Sequence, residues 1–255
     1  MIKILLSDVD GTFYFGSNPK EKISFKDIKA IKKFQEEGNL FGVCTGRSYA
    51  GLISALQNYP IKLDFMILSS GAVILIGDKK IKEELLTKGT LKIIYDSIDL
   101  KACGLTATSE NAFYFTDYLH YTFSTAHKIF TLDDVFDQTF TNITIESNNI
   151  ENLEKTKILL FEKVGDIIEI NRNENSLDIS PKNCDKGSAI NCLINYYSCN
   201  IDSLYAIGDS FNDIPMFQRV KTSYTFNKSA DRVKEKADYL VDSLEECIYK
   251  ILDNQ

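Results

Sequence analysis

Two carboxylates two residues apart, Asp8 and Asp10, end an apolar run in Leu5-Leu6-Ser7-Asp8-Val9-Asp10-Gly11-Thr12. Three further clusters carry residues fit for the same chemistry: Thr45-Gly46-Arg47, Lys186-Gly187-Ser188 and Gly208-Asp209-Ser210-Phe211-Asn212-Asp213. Carboxylates brought together cannot all ionise without a counter-charge. A hard divalent cation with oxygen ligands supplies one, and Mg²⁺ suits a few carboxylates, water and a substrate phosphate. Lys186, Thr45 and the backbone amides near Gly11 and Gly46 are then suited to hold the other phosphate oxygens. In the pair Asp8 and Asp10, one carboxylate would be the nucleophile and the other the acid and base. Each cluster alone is ordinary: Asp-Gly marks turns, and an Asx-rich segment such as 208–213 caps helices. The four together point to phosphoryl chemistry.

Such residues meet where a parallel sheet ends, because its functional crevice lies beyond the carboxyl ends of the strands. The spacing predicts that frame. Residues 2–7 read as a fully buried strand. Ser24-Phe25-Lys26-Asp27 resembles a capping box, opening a helix that Gly38 ends. Residues 40–45 read as a second buried strand, 48–59 as a helix and 64–70 as a third strand. That rhythm means βαβ units and a parallel sheet. Residues 71–86 predict a hairpin about Gly77-Asp78-Lys79-Lys80.

The texture changes from about residue 83 to 183. Helix patterns at 91–98 and 149–165 and strand patterns at 140–146, 166–170 and 176–180 lack the parallel rhythm. They predict an α+β insert. At 186 the earlier rhythm resumes, with a helix over 186–197, a strand over 203–209, a helix from Asp213, a strand over 223–226 and helices to the end. The expected fold class is α/β: a Rossmann-like parallel-sheet core of residues 1–82 and 184–255, interrupted by an inserted α+β domain over 83–183.

Composition narrows the function. A formal charge of −7 argues against a nucleic-acid surface, which needs a basic face. No apolar run approaches the ~20 residues that cross a bilayer, so no membrane partner is expected and the default location is the cytoplasm. None of the six cysteines forms a Cys-x-x-Cys pair, and two histidines are too few to complete a zinc site, so buried reduced thiols are expected. Cys44 and Arg47 stand too close together for the loop of a cysteine phosphatase. His120 and His127, with Phe113, Tyr114, Phe115, Tyr118 and Tyr121 around them, read as structural parts of the insert. Asn142-Ile143-Thr144 matches a glycosylation sequon that a cytosolic chain would never present to the machinery.

The motifs carry a resemblance. Asp8-Val9-Asp10-Gly11-Thr12 is similar to the first motif of the haloacid dehalogenase-like (HAD) phosphohydrolases, and Val43-Cys44-Thr45-Gly46-Arg47 to the second. Lys186 in Asp185-Lys186-Gly187-Ser188 resembles the third, and 208–217 the fourth, in the family's order. The insert resembles the C2-type cap of the Cof-like sugar-phosphatase branch. The resemblance implies that Asp8 attacks phosphorus to form an aspartyl-phosphate, while Asp10 protonates the leaving alkoxide and then activates water. It implies Mg²⁺ held by Asp8, the main-chain carbonyl of Asp10, and Asp209, with Asp213 supporting the metal waters or Lys186. Thr45 and Lys186 would bind the transferring phosphoryl group, with Gly46, Arg47 and Asn212 as further contacts.

The implied substrate is a small phosphorylated metabolite. A phosphotransferase or mutase with the same nucleophile, or a non-catalytic phosphometabolite sensor, are the rival readings. One departure stands out: Ser70 occupies the position where many relatives carry a pocket-lining asparagine.

Overall fold

The computed structural model describes residues 2–16, 22–109, 112–116, 126–128, 132–135, 138–172 and 175–253. Three strands alternate with helices at the start: β1 (Ile4–Ser7), α1 (Phe25–Glu36), β2 (Leu40–Cys44), α2 (Tyr49–Leu56) and β3 (Phe65–Leu68). A hairpin follows, β4 (Val73–Ile76) and β5 (Lys79–Glu83). Next come α3 (Lys88–Tyr95), β6 (Gly104–Thr108), β7 (Phe113–Phe115), β8 (Ala126–Lys128), β9 (Asn142–Glu146), α4 (Ile150–Val164), β10 (Ile168–Arg172) and β11 (Ser176–Pro181). The chain returns through α5 (Ile190–Tyr197), β12 (Leu204–Ile207), α6 (Ile214–Phe217), β13 (Thr222–Phe226), α7 (Asp231–Lys234), β14 (Tyr239–Val241) and α8 (Leu244–Asp253).

Two sheets result. An eight-stranded sheet runs β14-β13-β12-β1-β2-β3-β4-β5, parallel except where the β4–β5 hairpin closes one edge. A six-stranded sheet, β10-β11-β9-β6-β7-β8, is antiparallel apart from the β7–β8 pair. The first sheet draws its strands from both sides of the segment that builds the second. This is the mixed α/β architecture, with a parallel-rich sheet and an inserted α+β unit, that the motif spacing predicts.

The apolar run of β1 has a physical reason. Ile4 and Leu6 face a core shared with Ile190, Leu193 and Met216, while Leu5 faces another shared with Phe34, Phe41 and Ile248. Helices therefore cover both faces of the strand, which is apolar up to its last residue, Ser7. Among the described residues, no helix is long and apolar enough to cross a membrane. The cysteines are free thiols, and Cys44, Cys103, Cys184 and Cys247 are buried.

Three details depart from the sequence reading. β1 begins at Ile4, and Ile2 is exposed. Ser24 caps α1 through the Lys26 N–H, while the Asp27 carboxylate also reaches across to accept the Glu245 N–H of α8 at 2.8 Å. Finally, α5 starts at Ile190 rather than Lys186, because the Asp185 carboxylate captures the N–H groups of Gly187 (2.7 Å) and Ser188 (2.8 Å) in a turn.

Phe41 on β2 is fully buried and meets Phe13 edge-to-face, with ring centroids 6.1 Å apart. Phe41→Ala is expected to cost about 3–5 kcal/mol through lost burial and the cavity left behind. Chemical denaturation would check this; a loss below about 1 kcal/mol would mean the layer is not close-packed there.

Candidate active site

Strand register sets the site. Ser7 pairs with Ile207 of β12 and with Val43 of β2, so the residues that follow leave the sheet side by side. The Asp8 N–H still donates to the Ile207 carbonyl, and the Thr45 N–H to the Ile67 carbonyl, both at 2.9 Å. The backbone of the two clusters is thus held by the sheet's last rungs.

Lys186 reaches this edge from the turn before α5. Its buried ammonium donates to Asp8 Oδ1 and Asp213 Oδ1, both at 2.6 Å, with Asn212 Oδ1 at 3.4 Å. Asp213 Oδ2 accepts the N–H groups of Asp209 and Ser210, each at 3.0 Å. The Thr12 hydroxyl lies 3.2 Å from Asp8 Oδ2 and 3.4 Å from Asp209 Oδ1. Gly11 makes the approach possible: its φ is +81°, and a Cβ there would fall 2.3 Å from Asp209 Oδ2.

Asp8, Asp209 and Asp213 bring carboxylate oxygens within 4.8 Å of one another. Three carboxylates face one ammonium, so the cluster carries surplus negative charge. Burial, with Asp213 and Asp209 adding to it and Lys186 opposing it, raises Asp8 to about 7. Burial and the Asp213 charge raise Asp209 to about 6. Burial alone would lower Lys186, but the Asp213 and Asp8 charges outweigh it and keep the ammonium protonated. A divalent cation fits this surplus. Asp213 is held by Lys186 and by two amides, and Asp8 Oδ1 by Lys186, while Asp8 Oδ2 and Asp209 Oδ1 share the Thr12 hydroxyl at the longer distances of 3.2 and 3.4 Å and stand more open to a cation.

Asp10 stands at the rim. Arg47 grips its carboxylate with two bonds of 2.7 Å, Nε to Oδ2 and Nη2 to Oδ1. The guanidinium also donates to the Gly51 carbonyl at 3.0 Å and lies over the Tyr14 ring. Burial alone would lower Arg47, and the bonds to Asp10 raise it. Arg47 lines the cavity and also fixes the direction of Asp10.

The backbone behind this rim is strained. Ser69 and Ser70 have φ of 47° and 54°, and Gly71 follows at 96°. In return, the Ser70 N–H meets the Thr45 carbonyl at 3.0 Å and the Ser69 N–H meets the Arg47 carbonyl at 2.9 Å. Ser70 is buried beneath Gly46 rather than lining the cavity.

A cavity of about 1210 Å³ opens over Asp8, Asp10, Thr45, Gly46, Arg47, Asp209 and Asn212. Lys186 and Asp213 lie beneath its floor. Its far wall comes from the six-stranded sheet, through residues that motif reasoning missed: Thr106, Thr144, Glu146 and Asp178 among them. Burial raises Asp178, with the Thr144 hydroxyl and the Lys186 charge partly offsetting it. Thr12 and Lys228, which also faces the cavity, were missed as well. The alternation in Asn142-Ile143-Thr144-Ile145-Glu146 was the available signal. Of the aromatic stretch, Phe113 lines the cavity and Tyr114 packs edge-to-face on Phe140. Tyr118, His120, Tyr121 and the His127 side chain lie outside the described residues.

Comparison with known proteins places these features. Residues 5–252 match the family of haloacid dehalogenase-like hydrolases. An uncharacterized protein of Mycoplasma capricolum is 32% identical, covering 98% of this chain and 100% of its own. A 5-amino-6-(5-phospho-D-ribitylamino)uracil phosphatase of Bacillus subtilis is 22% identical, over 95% of this chain and 90% of its own. Among solved structures, the HAD subclass IIB sugar phosphatase BT4131 superposes with a TM-score of 0.78 at 20% identity, over 96% of this chain and 95% of that one. That likeness is one of fold.

The raised carboxylates give a signed prediction. Asp8 and Asp209 titrate near 7 and 6 when folded, against an ordinary 3.8, so the metal-free folded state holds protons that the unfolded chain has lost. Stability should fall as pH rises from about 4 to 7, and a divalent cation that replaces those protons should restore it. The rise in melting temperature on adding millimolar Mg²⁺ is therefore expected to be larger near pH 8 than near pH 5. Equal shifts at both would place the ion elsewhere.

Proposed function

This chain belongs to the haloacid dehalogenase-like hydrolases, and from that premise we propose that it is a Mg²⁺-dependent phosphatase of small phosphate monoesters. The observation that carries the reading is the convergence of Asp8 and Asp213 on Lys186, with the Asp209 carboxylate within 4.8 Å of both acids, at the floor of a large cavity. Residues 1–82 and 184–255 act as the catalytic core, and 83–183 as the cap. The phosphatase name of the Bacillus subtilis relative agrees with a small phosphorylated substrate. The free thiols fit a reducing compartment such as the cytoplasm.

In this reading Asp8 is the nucleophile. Its backbone is fixed by β12 and its Oδ1 by Lys186, which leaves little reorganisation before attack on phosphorus. Asp8, Asp209 and the Asp10 carbonyl would hold Mg²⁺, which when bound would neutralise charge on the phosphoryl oxygens. Lys186, Thr45 and the amides about Gly46 hold those oxygens from the other side. Asp10, aimed by Arg47, protonates the departing alkoxide and then takes a proton from the water that hydrolyses the aspartyl-phosphate. A phosphometabolite sensor would bind without turnover, so Mg²⁺-dependent release of phosphate from p-nitrophenyl phosphate separates the hydrolase reading from that rival.

Asp8→Asn is expected to lower kcat by at least about a thousandfold. Its metal-free melting temperature should be unchanged or higher, since one of three crowded carboxylates is neutralised. Near-normal turnover of p-nitrophenyl phosphate by that variant would overturn the mechanism. Asp10→Asn separates the roles. Its loss in kcat/KM should be about tenfold or more greater for an alkyl phosphate than for p-nitrophenyl phosphate, whose leaving group needs no proton. Equal losses would remove Asp10 as the acid.

A further inference from the structure

The six-stranded sheet presents two unlike faces. Leu105, Ile145 and Leu177 share one cross-strand row, and Ala107, Ile143 and Ile179 another. These residues pack with Leu91, Leu153 and Leu160 of α3 and α4. The intervening rows point the opposite way and are polar: Thr106 pairs with Thr144 and Thr144 with Asp178, while Glu146 pairs with Ser176. The period of two along each strand forces this division.

The polar face looks into the cavity. Thr106, Thr144, Glu146, Ser176 and Asp178 line the same space as Asp8 and Asp10. A contact between the two sheets sets its place: the Ser69 hydroxyl donates to Thr141 Oγ1 at 2.9 Å, one residue before β9 begins. The Thr144 hydroxyl lies 3.0 Å from both Asp178 Oδ1 and Asn142 Oδ1, so the row is internally oriented rather than a loose collection. Its chemistry is dominated by acceptors. Among the described cavity-lining residues of the insert, the only ionisable side chains are Glu146 and Asp178. Both are acidic.

With the leaving group taken to lie against this face, we propose that Glu146 and Asp178 are specificity-determining residues that reject a second anion there and favour a group rich in hydroxyl or ammonium donors. The assignment rests on the phosphatase reading, because it takes the phosphate end to lie at Asp8. Carboxylates accept hydrogen bonds from hydroxyls and ammonium groups, and in a partly dry cavity they repel a carboxylate or second phosphate strongly. Discrimination then comes from the unfavourable pairing as much as from the favourable one.

Three compounds of matched size test this: glucose 6-phosphate, glucosamine 6-phosphate and 6-phosphogluconate. Each is assayed as substrate and as competitor of p-nitrophenyl phosphate, using the full chain with Mg²⁺. The gluconate is expected to be at least about tenfold poorer than glucose 6-phosphate in kcat/KM, or in inhibition constant where turnover is absent. In the Glu146→Gln and Asp178→Asn double variant that ratio should shrink below about threefold, mostly through KM. Comparing the ratio within each protein cancels any general loss from the substitutions. The amino sugar separates the two donor types, since ammonium preference over hydroxyl should disappear in the double variant. Equal handling of gluconate and glucose by the wild type, weak competition by all three, or an unchanged ratio in the variant overturns the proposal. In each case, continued hydrolysis of p-nitrophenyl phosphate leaves the phosphatase reading standing. Absence of that hydrolysis removes both.

Discussion

One buried ammonium organises the molecule's chemistry. Lys186 lies equidistant from Asp8 and Asp213, 2.6 Å from each, where the buried strand β1 ends. Its removal would leave two buried carboxylates facing each other, a change that ordinarily costs about 3–5 kcal/mol. The pairing also leaves the cluster with more negative charge than one lysine balances. In the proposed reading that residual charge would draw a cation to the site and, through it, a phosphoryl group. The structure is therefore not at its electrostatic minimum when metal-free, and stability is given up at the position where function is concentrated.

The fold exists, in this sense, to make that pairing possible. Asp8 and Asp213 are 205 residues apart in the chain, yet β1 and β12 are neighbours, and the turn after β12 folds back through the Asp213 carboxylate. Close approach needs glycines at defined points. A Cβ on Gly208 would fall 2.3 Å from Asp213 Cγ, and one on Gly187 would fall 2.3 Å from the Pro215 carbonyl. Neither glycine touches substrate in any reading. Their role is to let charged side chains and backbone pack at distances that no other residue permits.

Much of the core was legible because its constraints are local. A strand covered on both faces must be apolar to its end, so Leu5-Leu6-Ser7-Asp8 announces both a buried strand and the place where it meets the crevice. The four polar clusters follow from the same rule. What escaped was set by contacts across the chain. Lys186 reads as the first residue of a helix, but the Asp185 carboxylate captured the next two amides and delayed the helix to Ile190. The pairing of Arg47 with Asp10 also escaped, because the direction of a long flexible side chain depends on a partner that sequence spacing does not name. The left-handed pair Ser69 and Ser70 has no sequence signature, since neither is a residue that favours such backbone.

The insert shows the same limit from the other side. Its alternation of polar and apolar residues is plain in the sequence, and the period of two dictates that one face of the sheet is polar. Alternation cannot say what that face looks at. An antiparallel sheet commonly turns its polar face to water, and nothing in residues 142–146 distinguishes water from a cavity. The answer lies in the junctions, where Ser69 meets Thr141 and Leu86 pairs with Phe140, which turn β9 across the mouth of the core. Two different kinds of polarity thus meet in one space. The core side is built from fixed, mutually paired charges that tolerate little variation, because each carboxylate or ammonium sets the state of the next. The insert side is built from hydroxyls, amides and two acids on a regular sheet, where Thr144 ties Asp178 to Asn142. In the proposed reading, reaction chemistry belongs on the first surface and substrate choice on the second, whose side chains stand outside the bonds that Lys186 makes to Asp8 and Asp213.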